Sequence, residues 1–106
     1  MTEQETRRII VERVLSIYPG TRKIVLFGSR VHGRAQADSD YDVMIMVDSD
    51  LSPAKRAAPL HLALRDLGHA FDLMVVTPDE FERNVAWRSS IVHIAATEGE
   101  ALYEAA

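Results

Sequence analysis

The chain has 106 residues, 47% of them hydrophobic and 26% charged, which is the make-up of one ordinary globular domain and small for a complete enzyme. A net charge of −4 argues against a general nucleic-acid or membrane-binding surface, and the lack of cysteine excludes disulfides and thiolate metal sites. The polar start, MTEQETRR, has no apolar signal-peptide core, and no apolar run approaches the roughly 20 residues of a membrane span, so we expect a cytoplasmic protein.

Thr2 and Glu5 have capping-box spacing, and Ile10, Val14, Ile17 and Tyr18 recur at helical intervals before Pro19-Gly20. This predicts a first helix. KIVLF, Lys23–Phe27, is short, apolar and partly β-branched, so it reads as a buried strand. YDVMIMV, Tyr41–Val47, reads as a second strand. Ser52 caps the next helix with Pro53 at its first position. Leu60, Leu64 and Leu67 form its apolar stripe and Gly68 stops it. AFDLMVV, Ala70–Val76, is a third strand. Thr77 and Glu80 make a second capping box with Pro78 inside it. They open a helical region that extends to about Thr97, with a break expected near Asn84. Gly99 ends it, and ALYE suggests a short edge strand. Helices that alternate with strands predict an α/β (α+β) fold: a small mixed sheet with helices packed on it.

The chemistry gathers in LFGSRVHGRAQADSDYDVMIMV, Leu26–Val47. Side chains alternate across a strand, so Asp40 and Asp42 share a face, with Cα atoms about 6.6 Å apart. Tyr41, Val43, Ile45 and Val47 take the other, core-facing side. Asp72 opens the third strand. If that strand neighbours the second, Asp72 points to the same spot, and the repulsion raises at least one carboxyl pKa. A divalent cation relieves the conflict, and magnesium suits hard oxygen ligands shared with substrate phosphates. An isolated Asp-x-Asp is more often a polar turn or a solvated edge; the glycine segment upstream alters that balance. Gly28 permits a sharp turn after the first strand and close approach of a ligand. Ser29 then sits at the start of a short helix, Arg30 to about His32, where backbone N–H groups favour phosphate. Gly33 is expected to end it. Gly28 and Gly33 have Walker A spacing, but Arg34 and Ala35 replace the required lysine and hydroxyl residue, which excludes a P-loop.

Gly28-Ser29, ten residues and then Asp40-Tyr41-Asp42 resembles the signature of the DNA polymerase β-like nucleotidyltransferases, and Asp72 matches their third carboxylate. The segment looks especially like the minimal nucleotidyltransferases, or MNT proteins, over Ile24 to about Phe81. The resemblance implies one minimal nucleotidyltransferase domain over residues 1–106. It assigns Asp40, Asp42 and Asp72 to catalysis and to two magnesium ions, with Asp72 activating the attacking hydroxyl either as general base or by holding the metal that acidifies it. It assigns Gly28 and Ser29 to the triphosphate of ATP, with Arg30 and Ser39 as secondary phosphate or loop contacts. It further implies an antitoxin that transfers AMP to a tyrosine of a HEPN-domain toxin, within a homodimer or hetero-oligomer. Two alternatives stay open: a small-molecule, aminoglycoside-type nucleotidyltransferase, and a non-catalytic antitoxin that acts by contact alone.

Four histidines show no ligand spacing, so we read them as surface or satisfied residues. Met44 and Met46 share the aspartate face, where core packing is expected over a pocket role. Trp87 with Arg88 suits a partner surface and a core position equally.

Overall fold

In the computed structural model, which describes residues 1–31 and 40–106, helix α1 spans Glu3–Ile17. Its start is the expected capping box: Thr2 accepts from the Glu5 backbone N–H, and the Glu5 side chain accepts from the Thr2 N–H. Strand β1 is Lys23–Phe27, followed by a 3-10 turn at Gly28–Arg30. Strand β2 is Tyr41–Met46. Helix α2, Pro53–Leu64, is capped by Ser52 and runs into a 3-10 turn, Arg65–Leu67, that stops at Gly68 in the left-handed conformation. Strand β3 is Phe71–Val76. Thr77 and Glu80 cap α3, Pro78–Asn84. Helix α4, Ile91–Glu98, starts at the Ser90 cap, so the expected break near Asn84 is real. Strand β4, Glu100–Glu104, is the anticipated edge strand.

The strands form one mixed sheet in the order β3-β2-β1-β4. β1 pairs antiparallel with β2 and with β4, whereas β2 and β3 run parallel and are joined through α2. This topology positions the site. The end of β1 and the starts of β2 and β3 all fall at the same end of the sheet. The Gly28 turn and both aspartate-bearing strand starts meet there.

Both faces of the sheet are covered. On one, Ile24, Leu26, Tyr41, Val43 and Ile45 pack under Ile10 and Val14 of α1 and Leu60 and Leu64 of α2. On the other, Val25, Met44 and Val76 pack against Val92 and Ala95 of α4. The aspartate face of β2 thus becomes a second, smaller core beyond its first residue, and Met44 is fully buried in it. Among the described residues, no helix is long and apolar enough to cross a membrane.

Two features hold the elements in place. Arg56 lies on the apolar stripe of α2 with its side chain only 6% exposed. It donates to the Val75 carbonyl at 3.0 Å and to both oxygens of Glu80 at 2.7 and 3.0 Å. The pair ties α2 to the end of β3 and the first turn of α3. Chiefly through the hydrogen bonds from Arg56, Glu80 is held below the ordinary carboxylate value of 4.5, against the opposing effect of burial. Gly99, at the end of α4, lies against the sheet. A Cβ there would overlap the Ala95 carbonyl oxygen and Val25 Cγ1 and sit 3.0 Å from the Leu26 carbonyl oxygen.

Glu80→Ala leaves a buried guanidinium without its carboxylate and should cost about 3 kcal/mol, read from urea unfolding. Because the Glu80 pKa is depressed in the folded state, its contribution is complete above the unfolded value and is lost as pH falls through the folded one. The unfolding midpoint of the native chain should therefore drop more steeply on acidification below about pH 4.5 than that of Glu80→Gln. Gly99→Ala should cost about 1–3 kcal/mol in the same assay, because backbone atoms must give way to the methyl group.

Candidate active site

Asp42 and Asp72 are direct register partners across the parallel β2–β3 pair. Residues opposite one another in register point to the same face, so the fold sets the two carboxylates side by side. Asp40 immediately precedes β2 and is exposed. The Asp42 carboxyl is pushed above its ordinary value, first by burial, then by the charge of Asp72 and then by that of Asp40. Every one of these influences acts in the same direction. The sequence expectation that Asp72 meets Asp42 across neighbouring strands therefore matches the geometry. Among the described residues, no three carboxylate or imidazole side chains are gathered closely enough to hold a metal ion as they stand. The arrangement is a tight pair with a third carboxylate acting on it through space.

Gly28 closes the site from the β1 side. Phe27 is in register with Asp42, so the turn begins beside that carboxylate. Gly28 has φ +80°, a conformation that side-chain-bearing residues rarely adopt. A Cβ on it would overlap Asp42 Oδ2 and stand 3.2 Å from Cγ. Glycine is needed here twice, for the backbone turn and for the space that the carboxylate occupies. Ser29 follows in the same turn, which is stabilised by the Val31 N–H donating to the Gly28 carbonyl at 3.1 Å.

Arg30 belongs to the turn, and its guanidinium is carried to the other face of the sheet. Its side chain is 8% exposed, bonded to Glu3 at 3.2 Å, and its Cζ lies 4.1 Å from the centre of the Tyr41 ring. Ser39 and Gly33 lie outside the described residues. Met44 lies behind the carboxylates as fully buried core, and Met46 packs partly buried against the same cluster. Trp87 is 64% exposed, which removes the core alternative. His93 Nδ1 lies 2.8 Å from the Val85 carbonyl oxygen, and His69 packs edge-on against Tyr41.

A groove of about 570 Å³ opens beside the carboxylates. It wraps the outer edge of β3, with Asp42, Asp72 and Gly28 at one end and Ile91 and Ile94 of α4 along one side. Among the described residues, β3 pairs with β2 alone. Sequence reasoning missed this groove and the Arg56–Glu80 tie beside it. Arg56 did carry a signal, since it stands four residues before Leu60 on the same helical stripe.

The donor set fits a hard divalent cation. The ligands are oxygens, the charges are alike, and burial with the charges of Asp72 and Asp40 disfavours the ionised form of Asp42.

The fold is shared with solved structures. A toxin–antitoxin structure with AMP-PNP superposes with TM-score 0.70 at 22% identity, covering 93% of this chain and 73% of the other. The toxin–antitoxin MntA-HepT matches with TM-score 0.65 at 20% identity, over 97% of this chain and 74% of that one. A complex of a tri-AMPylated Shewanella oneidensis HEPN toxin with an MNT antitoxin matches with TM-score 0.66 at 19% identity, over 98% and 74%. No curated protein sequence matches the chain. The nucleotidyltransferase domain family matches residues 7–103, which takes in the Gly28 turn, all three aspartates and every strand. The chain belongs to the nucleotidyltransferase domain family.

Proposed function

We propose that this chain is a minimal, metal-dependent nucleotidyltransferase of the MNT type. In this reading it transfers AMP from ATP to a tyrosine hydroxyl of a HEPN-domain toxin, releases pyrophosphate and so acts as the antitoxin in the cytoplasm. One observation carries the reading: within a nucleotidyltransferase domain, the register of β2 and β3 sets Asp42 beside Asp72, with Gly28 pressed against Asp42. The toxin–antitoxin complexes that share its fold support the choice of partner and nucleotide.

The acceptor oxygen attacks the α-phosphorus of ATP, a new P–O bond forms, and the bond to the β-phosphate oxygen breaks as pyrophosphate leaves. Asp40, Asp42 and Asp72 would hold magnesium, which when bound neutralises phosphate charge and acidifies the acceptor hydroxyl. Gly28 lets the nucleotide approach the turn closely, and Ser29 offers a hydroxyl donor to its phosphates. In this reading Asp72, exposed on the outer strand, takes the proton from an acceptor arriving along the β3 edge. The apolar flank formed by Ile91 and Ile94 favours a protein surface over a polycationic sugar.

The test is to incubate the chain with ATP, magnesium and a HEPN-domain protein that binds it, and to weigh the HEPN protein. Addition of AMP is the expected result; an unchanged mass under conditions where the two proteins bind would refute adenylylation. Asp42→Asn should lower the rate about 10²–10³-fold, since it removes charge from the centre of the site. Gly28→Ala should lower it by about 10²-fold, because its Cβ can be admitted only by moving the Asp42 carboxylate.

A further inference from the structure

Directly behind the carboxylates, on the opposite face of the sheet, lies a second set of contacts. Arg30 follows Ser29 in the chain, Tyr41 stands between Asp40 and Asp42, and Phe71 precedes Asp72. Strand alternation sends Tyr41 and Phe71 away from their neighbours in the site, and the 3-10 turn carries Arg30 to the same side. They meet one another. The Tyr41 ring stacks on Phe71, with centroids 5.4 Å apart and planes at 23°. The Arg30 guanidinium covers the Tyr41 ring, with Cζ 4.1 Å from its centre. Glu3, in the first turn of α1, binds both: its Oε2 accepts from Tyr41 Oη at 2.5 Å and from Arg30 Nη1 at 3.2 Å. Arg7 closes the cluster, with Nε 3.6 Å from Glu3 Oε1 and Nη2 donating to the Arg30 carbonyl at 3.4 Å.

We propose that Arg30 and Tyr41 are positioning residues, which with Glu3 set the spacing between the Gly28-Ser29 turn and the Asp40, Asp42 and Asp72 carboxylates. The inference rests on the nucleotidyltransferase reading above and deepens it.

The physical case is one of leverage. The turn and the two strand starts come from three separate segments of chain. The β1–β2 ladder ends at Phe27 and Asp42, so ladder hydrogen bonds do not fix residues 28–30 against β2. Among the described residues, the Arg30 side chain ties them down, together with the Arg7 bond to the Arg30 carbonyl. Its fork reaches Glu3 while its plane rests on Tyr41, and a planar guanidinium meets both demands at once. The Tyr41 ring transmits the restraint to β3 through Phe71, one residue from Asp72. Tyr41 is buried, and its hydroxyl donates to Glu3. A short lateral slip of the turn would part the triphosphate donors from the metal ligands. Displacements of about 1 Å at such sites cost about 10²-fold.

The experiment uses the full chain and a non-hydrolysable ATP analogue with magnesium, titrated calorimetrically, beside urea unfolding of each variant. Arg30→Met keeps the apolar stem and loses the fork. It should weaken analogue binding about tenfold or more while the protein remains native at the assay temperature. Arg30→Lys keeps a cation for Glu3 and should recover part of that loss. A purely architectural role predicts something else: native Arg30→Met would then bind the analogue within twofold of the unaltered chain, and that result overturns the proposal. If Arg30→Met does not fold, Tyr41→Phe decides, since it retains the ring stack and removes the hydroxyl with its ties to Glu3 and Thr6. Weaker binding by about fivefold supports the brace, and unchanged binding rejects it. Failure of the unaltered chain to bind the analogue would instead bring down the nucleotidyltransferase reading, and this inference with it.

Discussion

Two carboxylates held side by side by a parallel strand pair are the constraint around which this molecule is built. Asp42 and Asp72 do not meet because they attract. They meet because β2 and β3 are in register and residues in register share a face. Burial and two neighbouring charges all disfavour the ionised form of Asp42. The remainder of the fold must outweigh that repulsion. The α2 crossover locks the parallel pairing, Leu60 and Leu64 seal one face, and Met44 and Val76 seal the other. Arg56, bonded to the Val75 carbonyl and to Glu80, fastens the far end of β3. A site that costs stability is carried by a sheet packed on both sides.

Much of this was legible from residues alone, because the signals were local. Three capping serines and threonines, Thr2, Ser52 and Thr77, mark helix starts through hydrogen bonds that span three residues. The apolar runs at Ile24, Val43 and Leu73 mark strands through side-chain shape. The aspartates stood out because charge at the start of a buried strand needs a reason. The meeting of Asp42 with Asp72 was only conditional in the sequence, since strand order is a property of the whole chain. The structure supplies that order.

What stayed hidden was decided by tertiary direction. The resemblance gives Arg30 as a secondary phosphate or loop contact. The 3-10 turn rotates it toward Glu3 and the Tyr41 ring, a partner 27 residues upstream and a ring 11 downstream, and no local pattern encodes either. Arg56 follows Lys55 in the chain, and its place on the Leu60 stripe gains meaning only from Glu80, which faces it from the next element. The interior Pro59 of α2 shows the same limit. Its missing N–H weakens the helix locally, yet burial of Leu60 and Leu64 holds the helix together.

The placement of the site at the sheet's rim bears on how the proposed reaction would be confined. Phosphoryl chemistry of this type gains from excluding water, because charges held in a dry cleft act more strongly. Here the carboxylates open onto a groove that follows the β3 edge, and Ile91 and Ile94 are exposed along it. Among the described residues, nothing covers that groove. In the proposed reading the acceptor protein supplies the missing wall, so the hydroxyl to be modified and the surface that dries the site arrive together. Such an arrangement ties catalysis to recognition: a small hydroxyl compound would bring the nucleophile without the wall, whereas a docked protein brings both. Specificity would then lie less in the pocket's own shape than in which surface can lie along β3 and carry a hydroxyl to Asp72.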